Sequence, residues 1–357
     1  MPNFKILAIN PGSTSTKIAV YEGEEQVFIT TIRHQTAELE QYKRVADQFP
    51  FRKELILDEL KKAGIATNDF NAIIGRGGLL RPLESGVYEV NDAMLADLRA
   101  AARGQHASNL GALIAQSIAA SIPGAKAYIA DPVVVDEMAA VARVTGLPEM
   151  HRISMFHALN HKAIGRAHAK KLGKKYEDLN LIIAHLGGGI SVGAHQKGRV
   201  VDVNDALAGD GPFSPERAGE LPTGQLVDLC FSGKYTREEV RSKLAGKGGL
   251  VALMGYNDAQ RLENEAKGGS KEAALVQDAM CYNIAKWVGS MGAVLKGKVD
   301  GILITGGIAY NPYVVSYIRE MTEHIAPVTA YPGEDEMGAL AMNARMVLEG
   351  TVQPKVY

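Results

Sequence analysis

One short turn near the start of the chain gathers Ser13, Thr14, Ser15, Thr16 and Lys17, within AINPGSTSTKIAVY at residues 8–21. A tight turn of Gly, Ser and Thr presents backbone N–H groups and hydroxyls, the donors that suit phosphate oxygens. The same composition also makes a polar hairpin tip. A second turn, HLGGGIS (185–191), occupies the equivalent place in a later strand–turn–strand–strand run over 179–203. Two such turns in matched positions favour a nucleotide phosphate gripped from both sides. Neither is a Walker loop, because GxxxxGK[ST] is absent and each turn leads into a strand. TGGIAYN (305–311) follows an apolar run, so Gly306 and Gly307 could let backbone lie against an adenosine, or simply turn a strand into a helix.

Charged and titratable residues complete the set. Arg76 stands in GRGG at the end of an apolar run, and Arg217 in SPERAGEL within a Gly/Pro-rich loop (208–224). Most arginines are solvated surface groups, but the carboxyl ends of strands line ligand sites in α/β folds. Two arginines converging on a phosphoryl group would neutralise its equatorial oxygens and an incoming carboxylate. His106, His157 and His185 fall beside helix or strand termini, whereas His161, His168 and His195 read as structural. Asp131 ends the run AYIAD. Glu334, Asp335 and Glu336 precede an apolar helix, where they either cap it or hold Mg²⁺ with phosphate oxygens. No HExxH or paired Cys/His spacing points to zinc, and Ser232 in CFSGK is not in a GxSxG elbow.

The elements that would position these residues read as a repeat. FKILAIN, IAVYEG and QVFITTIRH are strands, 36–64 has a helical pattern, and NAIIGRGGLL (71–80) is a buried strand with its loop. Helices follow over 106–121, briefly within 136–150, and over 157–172, with the strand AYIAD (127–131) among them. Strands over 179–203 then mirror the opening, VDGILITGGIAYN (299–311) echoes FNAIIGRGGLL, and a last helix covers 336–349. The pattern predicts two copies of one α/β unit with a boundary near 150–156. The 357 residues suit two domains, and 46% hydrophobic with 22% charged residues is a globular balance. A net charge of −1 argues against nucleic acid or anionic membrane as partner, and no apolar run is long enough to span a bilayer. The N-terminus lacks the pattern of a secretory signal, and only Cys230 and Cys281 occur, so a reducing cytoplasm is expected.

The motifs INPGSTSTK, GRGGLLRP, GQHASNLG, IADPVV, MFHALNH, HLGGGIS, GPFSPERAGELPTGQLVDLC, ITGGIAYNP and YPGEDEMGALA occur in that order over nearly the whole chain. Together they resemble the acetate and butyrate kinase family, within the superfamily of acetate and sugar kinases, heat-shock chaperones and actin. The likeness is greater to its butyrate and branched-chain fatty acid kinase members. Acetate kinases carry HRVVHGG where this chain has GRGGLLR, and RSGD where it has RAGE. The resemblance implies an α/β fold of two actin-like, ribonuclease H-like domains, a duplicated βββαβαβα unit with a cleft between the copies. It divides the chain into 1–154, completed by a C-terminal helix within 338–357, and 155–337.

The implied activity is reversible phosphoryl transfer between ATP and a short-chain carboxylate, butyrate plus ATP giving butyryl phosphate plus ADP. An acetate or propionate kinase is the nearest alternative, and a non-kinase actin-like ATPase a more distant one that has no need of the two arginines. Carried over by motif, Asn10, Ser13, Ser15 and Lys17 belong to the first phosphate site, and His185, Gly187, Gly188 and Gly189 to the second. Gly306, Gly307 and Asn311 fall to the adenosine. Arg76 and Arg217 would hold the carboxylate and the phosphoryl group, His157 would stabilise the transition state, and His106 would lie near the carboxylate. Asp131 would lie near the metal or the arginines. Magnesium falls to Asn10 and one of Glu334, Asp335 and Glu336, with Glu336 favoured. Gln260 in NDAQR stands where relatives carry arginine, and Arg261 would point about 100° away on a helix. The family also implies a homodimer or higher homo-oligomer.

Overall fold

The computed structural model describes residues 3–207 and 209–357. Apolar residues crowd strand β1 (Lys5–Pro11), which turns at Gly12 into β2 (Ser15–Glu22) and returns as β3 (Glu25–Arg33). The segment that reads as helical over 36–64 is two helices, α1 (Thr36–Glu40) and α2 (Phe49–Lys62), with a 3₁₀ turn over Val45–Gln48 between them. Pro50 lies in the first turn of α2, where its missing N–H removes no helical bond. There follow β4 (Ala72–Arg76), β5 (Val87–Glu89), α3 (Asp92–Ala100), α4 (Asn109–Ala119) and β6 (Lys126–Ala130). Within 136–150 only α5 (Ala140–Arg143) is helical, since Gly146 and Pro148 follow it closely. Then come α6 (Ala158–Lys171), β7 (Asn180–Leu186), β8 (Ile190–Gln196) and β9 (Arg199–Val203). The rest is α7 (Thr223–Phe231), α8 (Arg237–Leu244), α9 (Leu250–Met254), α10 (Ala259–Lys267), α11 (Lys271–Val294), β10 (Gly301–Gly306), α12 (Pro312–Thr322), β11 (Val328–Pro332) and α13 (Glu336–Leu348). Among the described residues no helix is long and apolar enough to cross a membrane.

Packing divides the chain into two units, one of residues up to Val135 with Asp335–Tyr357, the other of Asp136–Glu334. The first unit's sheet runs β3-β2-β1-β4-β6-β5 and the second's β9-β8-β7-β10-β11. In both, three consecutive strands form an antiparallel meander whose first member pairs in parallel with a later strand. The five matching positions are the repeat in structural form, and β5 is an addition on β6. Parallel neighbours need long crossovers, which the intervening helices provide.

In the first unit α4 lies against β4 and β6, while α13 lies against β1, β4 and β6. Helix α4 touches β4 through bare backbone. A Cβ on Gly75 would stand 2.3 Å from the Gly111 carbonyl oxygen, and one on Gly111 2.2 Å from that of Arg76. The pair of glycines therefore fixes the strand end that carries Arg76.

The β1–β2 turn is held from beneath by a cation. Arg52 of α2 is 1% exposed. Its guanidinium donates to the carbonyls of Gly12 (2.7 Å), Ser15 (3.1 Å) and Ser13 (3.0 Å), to Thr16 Oγ1 and to Gln48 Oε1. These bonds occupy the turn's carbonyls. His34, also buried, meets Thr16 Oγ1 through Nε2 at 2.8 Å. Burial first, then the Arg52 cation, pushes its imidazole down to about 4. An unfolded chain takes up that proton near 6.5, so between those values the unfolded state binds more protons and stability falls as the solution is acidified. His34→Gln is expected to flatten the fall between pH 6.5 and 4 by about 1 kcal/mol per pH unit. Urea midpoints measured across that window check it, and an unchanged slope would contradict it.

In the second unit period-2 alternation sorts the sheet faces. Ile182, Ala184 and Leu186 of β7 and Ile190, Val192 and Ala194 of β8 join the core that includes Met280, Ile284 and Val288 of α11. Leu181 and Ile183 point the other way, with Ala169 of α6 and Tyr176. On that α6 side lie His185 of β7 and Ser191 and His195 of β8. A buried ion pair crosses the same region: Lys162 Nζ is 2.7 Å from Glu137 Oε2 and donates to the Gly198 carbonyl, while Val200 N donates to Glu137.

Candidate active site

Parallel β1 and β4 end side by side, so Asn10 and Arg76 emerge together at the carboxyl ends of the first sheet. The first turn of α13 brings Glu336 to them. Arg76 Nη1 lies 3.0 Å from Glu336 Oε1 and 3.5 Å from Asn10 Oδ1, and the Asn10 amide donates to Glu336 Oε2. A carboxylate in the first turn of a helix also gains from the helix dipole. Its neighbours have other employment. Asp335 caps α13 by accepting from Gly338 N at 2.8 Å, and Glu334 Oε2 stands 3.5 Å from His185 Nε2 in the second unit.

Lys17 is directly across from Asn10 in the β1–β2 register, so the two share a sheet face, with Ser15 on the same side two residues before Lys17. Lys17 and Ser13 are exposed, whereas Thr16 turns inward to Arg52. His106 Nδ1 receives the Ser108 N–H at 3.2 Å and lies 2.7 Å from Ser108 Oγ. A ring nitrogen that accepts a backbone N–H has no proton of its own, so neutral His106 carries its hydrogen on Nε2. Desolvation and then the Arg76 charge lower its basicity. Asp131 follows Ala130, the residue paired with Arg76 across β4 and β6. Its φ of 38° is left-handed, and its Oδ1 accepts from Ser85 Oγ (2.6 Å) and Gly86 N (2.8 Å), which ties down the 85–86 turn.

In the second unit His157 precedes α6 and stacks on His185 with ring centroids 4.0 Å apart. His157 Nδ1 is 2.9 Å from Ser191 Oγ, and His185 Nδ1 is 3.0 Å from Asn160 Oδ1. Gly187, Gly188 and Gly189 form the turn from β7 to β8, closed by Gly187 N donating to the Gly189 carbonyl. A Cβ on Gly189 would lie 3.7 Å from His157 Cε1. The Gly188 carbonyl accepts from Ser214 Oγ and Glu216 N, which joins this turn to the loop bearing Arg217. Arg217 Nη1 lies 3.3 Å from Glu216 Oε2, and its buried Nε has no hydrogen-bond partner among the described residues.

A cavity of ≈ 260 Å³ opens in this unit between the start of α10, α11 and the 3₁₀ turn Gly307–Tyr310. Gln260, Glu263, Gln277, Gly307, Tyr310 and Asn311 are among its lining residues. Gly306, with φ 93°, is required by the chain itself, since its Cβ would stand 2.3 Å from the Leu186 carbonyl. Gly307 instead faces open space. Asn311 caps α12 through Oδ1, and its amide reaches Gln277 at 3.4 Å. Arg261 does not line the cavity; it pairs with Glu265 at 2.8 Å and lies over the Tyr256 ring. Glu263 and Gln277 belong to no recognisable motif, and only the folding of α10 and α11 brings them to the opening beside Gly307.

Among the described residues no group of three His, Cys, Asp or Glu side chains could hold a metal by itself. Glu336 and Asn10 stand side by side with the Asn10 NH2 toward the carboxylate and its oxygen toward Arg76, so with the amide turned about the pair would offer the hard oxygen donors that magnesium accepts when phosphate and water complete its shell.

The acetokinase family model matches residues 147–327. Butyrate kinase 2 of Clostridium acetobutylicum is 54% identical over 354 residues, 99% of each chain. The crystal structure of Porphyromonas gingivalis acetate kinase superposes with a TM-score of 0.78 at 19% identity, over 97% of this chain and 100% of that one. A propionate kinase from Francisella tularensis subsp. tularensis superposes with a TM-score of 0.73 at 19% identity, over 95% and 98%. The two solved structures show the fold, a pair of actin-like α/β units.

Proposed function

Since the chain belongs to the acetokinase family, we propose that it catalyses reversible phosphoryl transfer between ATP and a short-chain carboxylate of about butyrate size. The end-to-end match with a butyrate kinase carries this reading. The side chains support it. A carboxylate is already ionised at neutral pH and needs no general base, so catalysis reduces to positioning and charge neutralisation. Arg76 and Arg217 supply the guanidinium groups for the carboxylate and the phosphoryl oxygens. His106 lies by Arg76, and His157 is assigned to the charge that builds in transfer. Ser13, Ser15, Lys17 and the Gly187–Gly189 turn are assigned to phosphate, and the cavity beside Gly307 to adenosine.

Magnesium would be held by Glu336 and Asn10 and would supply neutralisation of charge on the phosphates. Glu336 holds Arg76 at 3.0 Å, and a Glu336 engaged by the cation would leave Arg76 available to the substrate carboxylate. A cytoplasmic homo-oligomer acting on small molecules belongs to the same reading. With ATP, magnesium and hydroxylamine, the chain is expected to form acyl hydroxamates from acids between acetate and hexanoate, fastest near butyrate. Absence of hydroxamate from every acid would sink the proposal, and fastest turnover with acetate or propionate would reassign the substrate.

A further inference from the structure

On the α6 side of the second sheet a continuous line of hydrogen bonds ends at His157. Tyr176 OH is 2.5 Å from His195 Nδ1, and His195 Nε2 is 3.1 Å from His161 Nδ1. His161 Nε2 is 2.9 Å from Ser191 Oγ, which is 2.9 Å from His157 Nδ1. His161, His195 and Ser191 are 0% exposed and Tyr176 3%. The strand and helix repeats bring them together. Ser191 and His195 are four apart on one face of β8, and His157 and His161 are one helical turn apart at the start of α6.

Burial, and then neighbouring positive or ionisable groups, holds both His161 and His195 far below the ordinary imidazole value, so both are neutral. A neutral imidazole has one N–H and one lone pair. Each ring in the line must therefore accept on one nitrogen and donate from the other, and the direction chosen at one end passes to the other. Tyr176 sets that direction. A phenol O–H is a stronger donor than an imidazole N–H, and an imidazole lone pair is a strong acceptor. Lys162 Nζ, 5.7 Å from the Tyr176 ring centroid, and the Arg166 guanidinium at 6.0 Å lie beside this phenol. With Tyr176 donating, His195 donates from Nε2 to His161, His161 from Nε2 to Ser191, and Ser191 to His157 Nδ1.

We propose that Tyr176, His195 and His161 are positioning residues that fix the tautomer of His157 through Ser191, so that His157 presents an Nε2–H donor to the transferring phosphoryl group. The proposal rests on the phosphoryl-transfer reading above. Its chemical content is a sign. In the opposite polarity His157 would present a bare lone pair, which repels phosphoryl oxygens instead of stabilising the charge that grows on them. No proton needs to travel along the line; its contribution is orientation, in the way that a partner on one ring nitrogen dictates the state of the other.

Two-bond ¹H–¹⁵N correlation spectra of the full chain, labelled at histidine and assigned by single substitutions, read the tautomers directly. His157, His161 and His195 are all expected as Nε2–H in the parent protein. Tyr176→Phe is expected to mix the tautomers of all three and lower kcat about tenfold, with KM for ATP and acid changed less than about twofold. Ser191→Ala is expected to free His157 alone while His161 and His195 keep theirs. An Nδ1–H tautomer on His157 in the parent would overturn the proposal without any variant having to fold. So would a Tyr176→Phe protein with unchanged tautomers and kcat. A chain that makes no acyl hydroxamate refutes the reaction whatever the tautomers, whereas an active kinase with Nδ1–H on His157 refutes the relay alone.

Discussion

Arg217→Ala is expected to lower kcat for acyl phosphate formation about a thousandfold, the usual loss when a guanidinium that neutralises a transferring phosphoryl group is removed. That corresponds to about 4 kcal/mol of transition-state stabilisation. The folded chain has little use for this side chain. Among the described residues its one ionic contact is to the adjacent Glu216 at 3.3 Å, a partly exposed pair worth little, and its buried Nε–H has no acceptor. An unsatisfied buried donor costs about 1–3 kcal/mol, so truncation removes a penalty as well as a contact. The loop keeps its shape by backbone, through Ser214 N donating to the Arg217 carbonyl and the bridge from Arg217 to Ala245. The unfolding midpoint should therefore stay near that of the parent while turnover collapses. Retention of more than a tenth of the parent kcat would remove Arg217 from its assigned role, and so would a loss confined to KM.

The second large effect is on stability. Lys162→Met is expected to destabilise the protein by about 3–5 kcal/mol at neutral pH, because it strands the Glu137 carboxylate in the interior. Lys162 and Glu137 are 1% and 5% exposed at their side chains, and Glu137 also receives Val200 N at 2.9 Å. Adding Glu137→Gln removes the stranded charge but keeps an oxygen for Val200 N, so the double variant should recover most of the loss. Urea unfolding of the parent, the single and the double variant measures this. A double variant no more stable than Lys162→Met would show that the cost lies in packing of the lysine stem rather than in charge.

What the residues disclose in advance depends on how far apart the partners are in sequence. The two glycine-rich turns, the arginines at strand ends and the strand–turn–strand–strand repeat are each contiguous, so they are visible without coordinates. The matched sheet orders of the two units follow from that repeat. Arg52 is not visible in this way. It reads as one more charge on an amphipathic helix, yet it is buried 40 residues from the Gly12 carbonyl it serves. GEDE likewise offers three carboxylates that pattern cannot separate, whereas the turn into α13 gives each a different neighbour. His161 and His195 read singly as structural histidines. Their signal was a joint one, the i, i+4 pair His157 and His161 on a helix against the alternating Ser191 and His195 on a strand. It needed the packing of α6 on β8 to become legible. The break at Gln41–Arg44 escaped for a simpler reason: charged residues suit a helix surface and a loop equally well.

The first unit closes with a helix that its own sheet must wait for. β1, β4 and β6 leave the ribosome early, but α13, which lies against all three, is translated only after residues 136–334 have been made. At about 5–20 residues per second that delay is on the order of ten to forty seconds. For that time one face of the nascent first sheet lacks its cover. The second unit, uninterrupted in sequence, has no such wait and can finish first. Glu336 arrives on the late helix, so the cluster with Arg76 and Asn10 is assembled among the last events of biosynthesis. A ribosome that stalls before codon 336 leaves Arg76 without that carboxylate, and the cluster of Asn10, Arg76 and Glu336 cannot form before both units have been synthesised.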